Sequence, residues 1–214
     1  MLSLRFAVVG SLLLFATGCG SSPPLPPTTA AGAATGVGHV DPAFAAAAAS
    51  YQGAYKIKLY FDAKGVMYKA SLYHHDDAKV PEVVRKLAAE RMPGSTVTAY
   101  EFELYADAGP VHEVEVKTAD GRECEVSATP AGVFRYTECQ VPPANLLPAI
   151  AKLVADNAPG GQVVEVEERK DASGAVEIRV ESKVGEVIHY LRFRPSGELL
   201  SRALRYASEV EVGR

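Results

Sequence analysis

Glu113-Val114-Glu115-Val116-Lys117, a turn at Asp120-Gly121, and Glu123-Cys124-Glu125-Val126-Ser127-Ala128 alternate apolar and polar residues one by one. A period of two marks β-strands with one face on a core and the other in water. The Asp-Gly pair supplies a hairpin turn. The alternation continues through Thr129-Pro130-Ala131-Gly132 into the run 133–138. Working outward, similar runs stand at 96–104 upstream and at 162–168, 175–181, 186–193 and 198–206 downstream, with Val184-Gly185 at an inner turn.

Three turn-like segments recur: Asp62-Ala63-Lys64-Gly65, Thr129-Pro130-Ala131-Gly132 and Arg194-Pro195-Ser196-Gly197. Their glycines lie 67 and then 65 positions apart. Each suits a type I turn closed by a left-handed glycine, a common three-residue hairpin loop. Two helical segments follow the same period, 80–94 and 147–160. Both carry proline in the first turn, where its missing N–H costs nothing, and both stop at Pro-Gly. Val80, Val83, Val84, Leu87 and Ala88 form one apolar stripe at helical spacing, and Leu147, Ile150, Ala151 and Val154 form another. The expected fold class is therefore α+β: tandem units of one helix on a four-stranded antiparallel sheet, at 80–141 and 142–214, preceded by an extra hairpin at 51–79.

Helix-Pro-Gly followed by Val111 to Val116, Asp120-Gly121 and the Pro130-Ala131-Gly132 hairpin resembles the PepSY-like family, which shares the fold of the β-lactamase-inhibitory protein. The resemblance covers about residues 55–211. Thr129 and Arg194 stand where the family's hairpins usually carry aspartate. The resemblance implies a non-enzymatic binding module, secreted or periplasmic, in some members an inhibitor of another protein.

The chain begins with one positive charge, Arg5, and an apolar run from Phe6 to Phe15 broken only by Gly10 and Ser11. This is the plan of a signal peptide. The run is shorter than the roughly 20 residues of a membrane-spanning helix. It ends in Ala16-Thr17-Gly18-Cys19, which resembles a lipobox. The expectation is a signal peptide at 1–18 and lipidation at Cys19, with two or three acyl chains for stable anchoring. In the lipoproteins of double-membrane bacteria that this start resembles, aspartate at the next position favours inner-membrane retention, so the resemblance with Gly20 there implies the outer membrane. Residues 20–50 are rich in Pro, Ala, Gly, Ser and Thr and read as a disordered tether. The formal charge of −4 argues against nucleic acid as a partner.

Cys124 and Cys139 flank the Pro130-Ala131-Gly132 hairpin. An oxidising compartment would join them. A plain three-residue loop, however, pairs Cys124 with Glu138, Val126 with Tyr136 and Ala128 with Phe134, and leaves Cys139 one step out. Either a bulge brings the sulfurs together, or both thiols stay reduced. Tyr60 is expected opposite Tyr68 on the wet face of the first hairpin, as a cross-strand pair or a binding anchor. His74-His75-Asp76-Asp77 is a dense group of ligand-type side chains, but neighbours in an extended segment point to opposite sides. A solvated loop with a helix cap is the simpler reading. No nucleophile elbow, phosphate loop or zinc-peptidase motif occurs. No enzyme activity, cofactor or metal is expected. The sequence points to an envelope binding module tethered by a lipid anchor, whose partner is another envelope or secreted protein. The alternatives are a structural lipoprotein of an envelope machine and, third, a hydrolase.

Overall fold

Each alternating run becomes a strand. The computed structural model describes residues 6–13, 53–62 and 64–210, with the backbone alone at 6–13 and 207–210. The strands are β1 (Phe6–Leu13), β2 (Lys56–Phe61), β3 (Met67–His74), β4 (Thr96–Tyr105), β5 (Gly109–Lys117), β6 (Glu123–Ala128), β7 (Phe134–Gln140), β8 (Gln162–Asp171), β9 (Val176–Val184), β10 (Val187–Phe193) and β11 (Leu199–Val210). Among the described residues two α-helices interrupt them, α1 (Glu82–Arg91) and α2 (Pro148–Asn157).

The α+β tandem architecture expected from the sequence is not what forms. Strands β2 to β11 make one antiparallel sheet in chain order, a mainly β fold. Between the two expected units, β7 pairs directly with β8, from Tyr136↔Asp171 to Gln140↔Glu167. The extra hairpin joins the same sheet through β3 and β4, from Lys69↔Tyr105 to His74↔Tyr100. The physical reason is the strand edge. Separate units would leave the main-chain donors and acceptors of β7 and β8 unpaired, and their mutual pairing satisfies them.

Strand β1 closes the sheet into a barrel. It runs antiparallel to β11 from Phe6↔Val210 to Leu13↔Ala203 and meets β2 in parallel at Leu12↔Phe61. The apolar run that reads as a leader thus lies, in the uncut chain, along the β11 edge. Cys19, the cut before it and the tether at 20–50 lie outside the described residues.

Both helices lie on the outer face. Val84 and Ala88 of α1 pack on Tyr100, Val114, Val116, Cys124, Val126 and Ala128. Ile150 and Val154 of α2 pack on Val166, Val180, Leu191 and Phe193. The apolar stripes are narrower than expected: Val83 is 46% exposed and Leu147 51%, and Ala151 is exposed as well. A helix this short touches a twisted sheet along one i, i+4 line. Val83 instead covers Gly132, where an added Cβ would stand 2.5 Å from a Val83 methyl. Gly132 also has φ +79°, a conformation that side-chain-bearing residues rarely adopt.

The three recurring hairpins share one irregularity. In each, the strand after the turn carries one residue more than its partner: Tyr68 between Met67 and Lys69, Arg135 between Phe134 and Tyr136, and Leu200 between Leu199 and Ser201. This bulge is separate from the three-residue loop, whose left-handed glycine leaves the first pair after the turn in step.

Candidate functional site

The polar half of the alternation turns inward. Cross-strand register aligns these residues in rows. One row runs Tyr73, Glu101, Glu113, Ser127 and Tyr136 over β3 to β7. The next runs Glu115, Glu125, Glu138, Arg169 and Glu177 over β5 to β9. A third runs Glu167, Arg179, Arg192 and Ser201 over β8 to β11. Closure of the barrel buries much of this face: Glu101, Glu103, Glu113 and Glu138 are each no more than 4% exposed. The sequence reading as a water-facing surface is therefore corrected to an inner, charged one.

An acidic centre spans β4 to β6. Carboxylate oxygens of Glu101, Glu113 and Glu125 all lie within 4.8 Å of one another. Burial and the charge of Glu101 push the Glu113 carboxyl up to about 7. Burial, with Glu113 and Glu138 nearby, pushes Glu125 well above the usual carboxylate range. The cation beside them is Lys69, which pairs with Glu103. Burial, opposed by Glu101 and Glu113, brings the Lys69 ammonium down to about 8. Tyr105 donates its hydroxyl to Glu103 at 2.8 Å, and Tyr136 donates to Glu113.

An arginine centre spans β7 to β9. Glu138 accepts from Arg169 Nη2 at 2.6 Å and from Arg179 Nη1 at 3.0 Å. Burial alone would raise the Glu138 carboxyl, but the two guanidiniums outweigh it and hold it at about 2. Glu167, beside it, is pushed up to about 9 by burial and by the charge of Glu138. Aromatic rings cover the cations: Arg169 lies 3.3 Å from the Tyr136 ring centre and Arg205 3.9 Å from that of Tyr190. Such contacts strengthen when desolvated. Arg205 also pairs with Glu181.

Tyr60 and Tyr68 both belong to the inner face, half-buried. They are not directly opposite, since Tyr60 pairs with Lys69 and Tyr68 is the bulged residue. Their rings still meet, 6.2 Å between centres, and Lys69 Nζ sits 4.6 Å from the Tyr60 ring. Cys124 and Cys139 form a disulfide on the outer face, under α1. The His74–Asp77 segment does not converge on one point. His74 is buried against Tyr100, His75 stacks on Tyr55 in the open, Asp76 caps Ala78 and Asp77 pairs with Arg85.

Sequence reasoning passed over Glu101, Glu113, Glu125, Glu138, Arg169 and Arg179. A signal for them existed. Glutamate recurs at the polar step of strand after strand, with arginine and tyrosine interleaved in the later ones, whereas a purely solvated face has no need of such regularity.

No family model matches the chain, and no curated protein matches it. The PepSY-like part of the resemblance is thus without support. Among solved structures the chain is similar to a BLIP-like protein from Bacteroides fragilis NCTC 9343, at 20% identity over 65% of this chain and 95% of that one, TM-score 0.44. It is also similar to a periplasmic protein of unknown function from Bacteroides vulgatus ATCC 8482, at 20% identity over 62% of this chain and 98% of that one, TM-score 0.28. At this identity and these TM-scores the likenesses carry no argument about what the inner face binds.

Proposed function

We propose that this chain is a non-catalytic binding module of the bacterial envelope, anchored through lipid on Cys19, whose inner sheet face takes up another protein. The observation that carries the reading is the composition of that face. Tyr60, Tyr105 and Tyr190, each partly exposed, alternate there with arginine, lysine and glutamate. Rigid aromatic rings backed by arginine are the side chains that most often anchor protein interfaces. Carboxylates outnumber cations on this face, which favours a partner with a basic element.

Processing fits this role. A cut between Gly18 and Cys19 releases β1 from the chain. The seam between β2 and β11 then opens, and residues beside it such as Tyr60, Lys58 and Arg205 meet solvent. The tether at 20–50 gives the module reach on the order of 30 Å from the lipid. The choice of outer membrane over inner rests on Gly20.

Photo-crosslinking in the living envelope tests the reading. A benzophenone amino acid replaces Tyr60 or Tyr190 on the inner face, and Val164 on the outer. The expected result is a discrete protein adduct from the inner positions alone. Adducts from Val164 but not from Tyr60 or Tyr190 would overturn it.

A further inference from the structure

Outside the aromatic anchors, the acidic centre holds more negative charge than its surroundings balance. Glu101, Glu113 and Glu125 come from three neighbouring strands, and Glu113 stands directly between Glu101 and Ser127 in the ladder. Lys69, which pairs with Glu103, is the lysine that also faces Glu101, Glu113 and Glu125, one ammonium against four carboxylates. Arg169 closes on Glu138 at 2.6 Å and approaches Glu125 only to 3.9 Å. Three carboxylates of like charge in one buried patch repel strongly unless protons or a cation intervene.

A second observation points to a ligand. Ser127 is fully buried, and its hydroxyl has no hydrogen-bond partner. A buried hydroxyl left unpaired is costly and calls for an explanation. Ser127 is directly across from Glu113 and two residues from Glu125 on the same face. Directly opposed side chains are about 4.5–5.5 Å apart at Cβ. The hydroxyl is thus an unpaired oxygen on the same face as the three carboxylates, opposed to Glu113.

We infer that Glu101, Glu113, Glu125 and Ser127 form a site for a divalent cation, and that calcium is the ion it suits. Two oxygens on opposite sides of a calcium ion are about 4.8 Å apart, from two bonds of about 2.4 Å. The carboxylate oxygens here lie within 4.8 Å of one another. Calcium accepts six to eight oxygens in loose geometry, as carboxylates on three strands and a hydroxyl provide, with water completing the shell. Magnesium demands a tighter octahedron. Tyr136, next in the row beyond Ser127, donates to Glu113 and orients that ligand. Glu125 is only half-buried and gives the ion a way in.

The test is calorimetric titration of calcium chloride into the EDTA-stripped full chain. The expected result is one ion per chain with a Kd on the order of 10⁻⁴ to 10⁻³ M. The E113Q/E125Q variant should lose binding by at least tenfold, and S127A should weaken it several-fold. Circular dichroism in EDTA establishes that each variant is folded. Terbium(III) emission sensitised by the nearby tyrosines, and displaced by calcium, provides a measurement on the unaltered chain. Absence of both heat and sensitised emission overturns the site. So does undiminished calcium binding by the folded double variant.

Discussion

Cys124 and Cys139 face each other directly across β6 and β7, their Cα atoms 4.0 Å apart, because Arg135 is one residue too many on its strand. Without that bulge Cys124 would meet Glu138 and the sulfurs would point to opposite faces. The register error that alternation alone implies is thus removed by the bulge at Arg135, not by the turn. The loop ending in Gly132 pairs Ala128 with Phe134, the bulge absorbs Arg135, and from Ser127↔Tyr136 onward every pair is shifted by one.

The disulfide closes a separation of 15 residues. By restricting the unfolded chain it should contribute about 3 kcal/mol. Replacing both cysteines with serine should therefore lower the denaturation midpoint, with an m-value equal to or above the parent's because the unfolded chain is no longer cross-linked. Equal midpoints for the parent and the C124S/C139S variant would remove the bridge from the account of stability.

Gly132→Ala should destabilise by about 1–2 kcal/mol from its left-handed conformation alone. The new methyl also meets Val83, so part of the loss should return when Val83→Ala is added. A double-mutant cycle by urea denaturation separates the two contributions. Strict additivity would show that Val83 does not press on the turn.

Strands β2 to β11, their turns and the two helices were legible in the sequence because they rest on local periodicities, whereas β1 reads as a leader and not as a strand. Glu113-Val114-Glu115-Val116 can only be a strand with two unlike faces, and Pro148 with a stop at Pro159-Gly160 brackets a helix. What was not legible is which edges meet. The pairing of β7 with β8 spans α2, and nothing in the local pattern of Tyr136 to Gln140 announces Glu167 to Asp171 as its neighbour. The candidate site depends on that step. Glu138, Arg169 and Arg179 come together only once β7, β8 and β9 are adjacent. Alternation distinguishes apolar from polar faces, and it is silent on whether the polar face meets water or is enclosed by the curvature of the sheet.

The place of β1 makes a separate prediction. If Phe6–Leu13 holds the β11 edge in the uncut chain, a fragment starting at residue 19 should lose protection along Leu199–Val210 while β5 and β6 are unaffected. Amide hydrogen exchange on the two forms reads this directly. Identical protection of β11 in both would mean that the leader does not pair there.

Glu138 and Glu167 should tilt the stability in opposite directions as pH changes. The Glu138 carboxyl is held at about 2, below its ordinary 4.5, so its contribution is complete above 4.5 and is lost as pH falls toward 2. Glu167 is held at about 9, above its ordinary 4.5, so the fold favours its protonated form. Its contribution is complete below 4.5 and is lost as pH rises toward 9. Glu113, raised to about 7, acts in the same sense over the lower part of that window. The difference between the parent and Glu167→Gln isolates the one group, since glutamine keeps the shape and cannot ionise. The melting temperature of the parent should therefore fall more steeply between about 4.5 and about 9 than that of the variant. Parallel curves would mean that Glu167 is already ionised at neutral pH. The arginine centre would then have to balance two buried carboxylates in place of one.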